Sequence, residues 1–239
     1  PAGCDCVVRQ EDTDYGEDTV QIYRAVEAGQ NYCWAGEDIQ KGSTLMKAGE
    51  KLTPVHIGVL AGQGFAQVPV RPRLRIAIIS TGDEIVPVGT PLAPGKIYNS
   101  SLFTLRARLE ELGAEVVLAE SLGDNPALVA RAVEDACAKA QVVTTTGGVS
   151  VGKKDIIHEV LPLCGARRLF WRVEMKPGTP IICAERKGVP LCCLSGNPFA
   201  AIATFELIVR PMLARMAGDP DMTYRRTTGR MGEDFPKRS

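Results

Sequence analysis

Histidine is nearly absent from this 239-residue chain, His56 and His158 being the only two. The eight cysteines contain no C-x-x-C pair, so the ligand set of a tetrahedral zinc site is missing. Net charge is missing too. Lys plus Arg and Asp plus Glu both number 28, which leaves no global field to draw the chain onto nucleic acid or an anionic membrane. Any anion must be bound by a local site. No 18-residue apolar run and no signal peptide is present, so no segment places the chain in or across a membrane. The chain opens at Pro1 without Met and closes in a polar tail, and we expect a fragment of a longer protein.

What is there suits a globular core: 45% of the residues are hydrophobic. Several cysteines lie in apolar strand-like runs, Ile181-Ile182-Cys183 and Leu191-Cys192-Cys193-Leu194. Free Cys behaves there as a small hydrophobe, so we expect buried, reduced thiols and a cytoplasmic protein.

Residues 1–72 differ from the rest. Short alternating runs such as Thr19-Val20-Gln21-Ile22-Tyr23, broken by Gly29, Gly36, Gly42 and Gly49, predict a small β-rich domain. Thr53-Pro54 caps a short helix through Leu60, and Arg71-Pro72-Arg73 forms a hinge. From residue 73 to 218 strands and helices alternate. Leu74–Ser80 is a β-branched run; Leu102, Leu105, Leu109 and Leu112 recur at helical spacing until Gly113; Glu115–Ala119 is a second strand. Asn125-Pro126 starts another helix, and a further helix runs from near Ile156 to Leu163. Strands follow at 169–173, 181–184 and 189–194, and a last helix spans Phe199–Met216. This order predicts an α/β, three-layer domain with a mostly parallel sheet covered on both faces, and ligands beyond the carboxyl ends of the strands. Residues 219–239 read as a linker and the start of a C-terminal β domain.

The stretch from Gln141 to Asp155 carries the most chemistry. An apolar run empties into a glycine loop that ends on a carboxylate. Gly147, Gly148 and Gly152 let backbone N–H groups approach an anion, and Asp155 is placed to hold a divalent ion against it; a tight turn chosen for its backbone shape is the plain alternative. Gly147 and Gly152-Lys153 have P-loop spacing, but Lys154 stands where Ser or Thr must ligate magnesium. A P-loop is therefore set aside. Ser80-Thr81-Gly82-Asp83-Glu84 and Gly123-Asp124 follow the first two strands. With Asp155 they offer carboxylates from three loops, hard oxygen ligands suited to magnesium beside a phosphate, although Asp124 alone reads equally well as a helix cap. Lys176-Pro177-Gly178-Thr179-Pro180 is stiff enough to hold Lys176 against an oxyanion, or is an ordinary solvated turn. In Ser195-Gly196-Asn197-Pro198, an Asn cap and Pro at the first helical position explain all but Gly196, which would admit a ligand. Ser195 has no evident His partner, and His158 lies in a helical pattern, so no hydrolase triad is read.

In this order these loops, together with Gly36-Glu37-Asp38-Ile39-Gln40-Lys41-Gly42 and the opening Pro1-Ala2-Gly3-Cys4-Asp5-Cys6-Val7-Val8, resemble the molybdopterin molybdotransferase family, whose relatives include the E domain of gephyrin. The resemblance covers nearly the whole chain. It implies a molybdopterin-binding fold and insertion of molybdate into adenylylated molybdopterin, with release of AMP and Mg2+ as the cofactor. Carried over by motif, Glu84, Asp124 and Asp155 hold the metal. Thr81, Gly82, Asp83, Gly147, Gly148, Ser150, Gly152, Pro177, Gly178, Ser195, Gly196 and Asn197 form the pterin-phosphate cradle. Lys176, assisted by Arg172, faces the reacting oxyanions, and Asp155 shares in the chemistry. The implied assembly is a homodimer, with a molybdopterin adenylyltransferase as partner.

The chain departs from the family's pattern at Ser195, usually Pro, at Asn125, often a second acid, and at Thr179, often Lys. The family's upstream segment and most of its C-terminal β domain are also not in this sequence, and we expect a retained pocket with much of the turnover lost. Two rivals share the fold. An adenylyltransferase is essentially the central domain alone, whereas residues 1–72 carry the transferase-like Gly36–Ile39 segment; a gephyrin-like scaffold would have no need of the acidic loop residues.

Overall fold

The computed structural model describes residues 2–149 and 155–233. These fall into two compact units, 1–66 and 67–239. In the first, a helical turn at Gln10–Asp12 precedes an isolated antiparallel bridge, Thr13 to Ile22. Helix α1 (Pro54–Gly62) begins as its sequence predicts. Thr53 accepts from the His56 amide while the His56 ring accepts from the Thr53 amide, a reciprocal cap with Pro at the first position. The expected β-rich character is reduced to that one bridge among the described residues. Alternation stabilises a strand only when one face is buried against something. Here Val20, Ile22 and Tyr23 are all more than half exposed, and Thr13 and Leu60 are the buried positions.

The second unit is built on a six-stranded sheet of β1 (Arg75–Thr81), β4 (Glu115–Leu122), β5 (Val142–Thr146), β6 (Arg167–Trp171), β7 (Ile182–Arg186) and β8 (Val189–Leu194). The spatial order is β4-β1-β5-β8-β7-β6. Strands β4, β1, β5 and β8 are parallel, β7 is antiparallel to both its neighbours, and β6 therefore runs with the majority. A second, two-stranded parallel sheet pairs β2 (Ile85–Val86) with β3 (Ile97–Tyr98). The turn at Arg186-Lys187-Gly188-Val189 explains the reversal of β7. Lys187 and Gly188 both take positive φ, and the Gly188 amide donates to Glu185, closing a hairpin that a parallel crossover could not replace.

Side-chain alternation then sorts the core into two layers. Ile76, Ile78, Val142, Cys192 and Leu194 face α2 (Ser100–Glu111), α5 (Pro198–Thr204) and α6 (Arg210–Ala217), the last two joined by a π-helical turn at Phe205–Val209. Ala77, Ile79, Val143, Leu191 and Cys193 face α3 (Pro126–Lys139) and α4 (Ile157–Leu163). The expectation of a three-layer domain with a mostly parallel sheet holds, β7 being the reversed strand. Cys164, Cys183, Cys192 and Cys193 are buried free thiols divided between the layers.

Helix boundaries follow local chemistry. Asn125, not Asp124, is the cap of α3, accepting from the Ala127 and Leu128 amides ahead of Pro126. Asn197 caps α5 in the same way, and Gly218 ends α6 in the left-handed conformation at φ +67°. One bidentate contact ties the helices of the first layer together: Glu206 accepts from Nε and Nη2 of Arg108 and from Nη1 of Arg210 at 2.7 Å. Arg210 in turn donates to the Met222 and Thr223 carbonyls.

Candidate functional site

Because β7 is the single strand running against the rest, five connections open at one end of the sheet. They follow β1, β4, β5 and β8, and the fifth joins β6 to β7. Four of the five line a cavity of about 360 Å3, to which they contribute Thr81, Gly82 and Glu84; Asp124; Gly147, Gly148, Val149 and Asp155; and Ser195, Gly196 and Asn197. A smaller hollow of about 30 Å3, walled by Ser80, Asn99, Ser100, Ser101 and Thr146, shares Thr81, Glu84 and Gly196 with it.

Hydrogen bonds between loops hold this rim in shape. Asp83 and Asp124 clamp each other: the Asp124 amide donates to Asp83 Oδ1 at 2.9 Å, and the Asp83 amide donates to Asp124 Oδ2 at 3.3 Å. Asp83 is thus a bracket between two loops and does not line the cavity, and its carbonyl accepts from Lys96 Nζ at 2.7 Å. Beneath it Thr146 Oγ1 donates to Ser80 Oγ at 3.0 Å, and the Gly147 amide donates to the Leu194 carbonyl at 3.1 Å. Asn197 is spent on the cap of α5, and Ser195 Oγ accepts from the Asn197 amide. Gly196, expected to admit a ligand, lies with its Cβ direction 3.5 Å from Gly147 Cα. A Cβ on Gly147, at φ +94°, would overlap the Thr81 carbonyl, and one on Gly148 would meet Ile156 Cγ1 at 2.9 Å. These glycines let the loops pack on one another; their missing Cβ atoms face protein.

The carboxylates differ in environment. Glu84 is exposed and Asp124 half-buried, whereas the Asp155 side chain is 9% exposed. Burial pushes the Asp155 carboxyl above its ordinary value; the neighbouring His158 ring and the Ile157 amide oppose the shift without cancelling it. Asp155 Oδ1 is buried without a hydrogen-bond partner among the described residues. No lysine or arginine is among the described residues lining the cavity. The three carboxylates share its wall, yet among the described residues they do not close into a three-ligand metal group.

Lys176, Pro177 and Gly178 are on the fifth connection, at the same end of the sheet but outside the cavity wall. Gly178 is buried where a Cβ would meet Thr204 Cγ2 at 2.7 Å, so this loop is anchored on α5, the helix that leaves the cavity loop. Arg172 takes φ +68° and its guanidinium stacks 4.1 Å over the Trp171 ring; it is not among the cavity-lining residues. Ser150 and Gly152 lie outside the described residues.

Sequence reasoning missed His158. It lies three residues after Asp155, which is in the loop leading into α4, with its Nε2 3.6 Å from Asp155 Oδ2. The D-x-x-H spacing was the available signal, since a residue just before a helix lies close to one in its first turn. The hollow at Asn99–Ser101 was missed too, although Asn99 caps α2 through the Leu102 amide.

A three-layer α/β domain whose cavity lies beyond the carboxyl ends of its parallel strands has the ligand crevice where open α/β sheets place it. Residues 77–215 match the family model described as "Probable molybdopterin binding domain", and residues 1–64 match "MoeA N-terminal region (domain I and II)". The chain belongs to the molybdopterin molybdotransferase family. It is 38% identical over 91% of its length to a molybdopterin molybdenumtransferase of Haemophilus influenzae and 37% identical over 99% to one of Staphylococcus aureus. It covers 54% and 57% of those two proteins, so it spans about half the length of the curated relatives it matches. Among solved structures it resembles a molybdopterin biosynthesis MoeA protein from Pyrococcus horikoshii, with TM-score 0.73, 31% identity, 90% of this chain and 54% of that one covered.

Proposed function

We propose that this chain supplies the substrate pocket of a molybdopterin molybdotransferase, which inserts molybdate into adenylylated molybdopterin and releases AMP. The observation that carries the reading is the cavity itself. Three carboxylates and no cationic side chain line its described wall, and an anionic pterin phosphate is repelled by such a wall unless a cation intervenes. Mg2+ fits this donor set, because it commonly takes one or two protein carboxylates and completes its octahedron with substrate phosphate and water. Asp155 shares the wall with Glu84 and Asp124, and its Oδ1 has no hydrogen-bond partner among the described residues, which leaves it available to a cation. When bound, the ion would neutralise charge on the phosphates.

The protein's own groups do the rest. The Asp83–Asp124 bracket ties two of the cavity loops together before substrate arrives, a contribution to preorganisation. Lys176, on a loop anchored through Gly178 at the same end of the sheet, is the cation this reading assigns to the oxyanions of molybdate and the leaving phosphate. The reading includes a homodimer working in the cytoplasm and a molybdopterin adenylyltransferase that hands over the substrate. No helix among the described residues is long and apolar enough to cross a membrane.

The test is calorimetric titration with adenylylated molybdopterin, first with Mg2+ and then with chelator. Binding that requires Mg2+ and is lost in Asp155→Ala is the expected result; absence of binding in both buffers refutes the pocket assignment. In a full-length version, Lys176→Ala should lower molybdate-dependent AMP release by about 100-fold, on the scale of losing one oxyanion-stabilising donor, with pterin binding near wild type. An unchanged rate removes Lys176 from the mechanism.

A further inference from the structure

We propose that His158, held by Arg168, is the positioning residue for Asp155: it restrains one carboxylate oxygen, Oδ2, and so leaves the other, Oδ1, without a protein partner and available to a cation at the cavity wall. The inference rests on the cation reading of that cavity.

The argument begins with donors and acceptors. Arg168 Nη1 lies 3.3 Å from His158 Nδ1. A guanidinium has only donors, so Nδ1 must accept and the ring proton must reside on Nε2. That nitrogen is the one facing Asp155 Oδ2 at 3.6 Å, just beyond hydrogen-bonding distance. Arg168 thus selects the tautomer that points its N–H at the carboxylate. The ring cannot turn freely. It meets the Trp171 indole edge-on at 4.7 Å between centroids, and Trp171 carries Arg172 on its face at 4.1 Å. Arg168 and Trp171 come from β6 and His158 from α4, so strand and helix together fix an imidazole neither could fix alone.

Two atoms are left over. His158 Nε2 and Asp155 Oδ1 are the buried groups of this cluster without a hydrogen-bond partner among the described residues. A buried carboxylate oxygen without a partner is unfavourable, and a cation in the cavity would satisfy it. A shift of a few tenths of an ångström by the carboxylate toward His158 would then complete the Nε2–H bond. This is the arrangement by which an outer hydrogen bond orients a ligating carboxylate. Arg172, expected at the oxyanions, stacks on the Trp171 face and does not line the described cavity wall.

The chain's two histidines make the test tractable. NMR of 15N-labelled imidazoles, with His56→Gln for assignment, should show His158 as the Nε2–H tautomer, and Arg168→Met should convert it to a mixture. Mn2+ is then titrated alone into wild type, Asp155→Ala, His158→Phe and His158→Gln, with thermal melting as the folding control. We expect Asp155→Ala to abolish binding and His158→Phe to weaken it about 10- to 100-fold, the usual range for an outer-shell partner. His158→Gln, whose amide N–H can take the place of Nε2–H, should restore most of the affinity. An Nδ1–H tautomer in the wild type overturns the proposal. So does Asp155-dependent binding that His158→Phe leaves unchanged, an outcome that keeps the cation reading. Equal losses in the Phe and Gln variants with unaltered melting would reduce the ring to packing and refute the hydrogen-bonded role. Mn2+ binding that is absent, or indifferent to Asp155, defeats the cation reading and this inference with it.

Discussion

Replacing Gly147 by Ala asks whether the glycine loop exists to pack or to cradle. At φ +94° an L-residue is strained, by about 1–2 kcal/mol in the left-handed region. The added Cβ would also overlap the Thr81 carbonyl oxygen and lie 2.8 Å from Thr81 Oγ1. Neither contact is with the far end of a flexible side chain, so the β1 and β5 loops must move apart, which adds about 1–3 kcal/mol on the scale of core overpacking. The sum, about 3 kcal/mol, corresponds to a fall in Tm of about 6–12 °C for a unit of this size. Gly165→Ala is the internal control. Gly165 is at φ +67° with no heavy atom within 4 Å of a built Cβ, so it registers the backbone strain alone, about 1–2 kcal/mol. Urea and thermal denaturation of both variants give the difference directly. If Gly147→Ala is no more destabilising than Gly165→Ala, the loops do not press on each other as described, and Gly147 is free to serve a ligand instead.

The Glu206 carboxyl is held below its ordinary value of 4.5, first by the hydrogen bond from Arg108 and then by Arg210, against the opposing effect of burial. A depressed folded-state value means that its stabilisation is present above 4.5 and lost as pH falls through the folded pKa. Glu206→Gln should therefore cost about 1–2 kcal/mol at pH 7 by urea denaturation, with wild type and variant converging in acid; the estimate is at the low end for a buried ion pair because the side chain is 27% exposed. Asp155 has the opposite sign: burial raises its folded value above 3.8, so ionised Asp155 weakens the fold as pH rises. Asp155→Asn should melt higher than wild type at pH 7 in chelator, with the advantage vanishing in acid; a lower Tm at pH 7 refutes the burial argument. The Thr144 hydroxyl is buried with no partner among the described residues, so Thr144→Val should raise stability by about 1 kcal/mol in the same assay.

Much of the architecture was legible because it depends on neighbours in sequence. Asn125-Pro126 and Asn197-Pro198 start helices since a side-chain oxygen reaches amides two and three residues on. The run Val142–Thr146 became a fully buried strand, as a β-branched apolar segment between helices should. The loops bearing Thr81, Asp124, Gly147 and Ser195 could be assigned to one end of the sheet from the alternation of strands and helices alone.

Tertiary structure decided what those loop residues do. Asp83 and Asp124 are 41 positions apart, and only the adjacency of β4 to β1 makes them a clamp. Gly147 needs its missing Cβ because Thr81, from another loop, occupies that space. His158 acquires a fixed tautomer only because β6, at the far edge of the sheet, brings Arg168 and Trp171 against α4. The physical reason is range. Caps, turns and periodicity act over a few residues and are written in local order, whereas which Cβ is forbidden, which carboxylate is buried and which nitrogen carries a proton depend on contacts that the strand order β4-β1-β5-β8-β7-β6 creates.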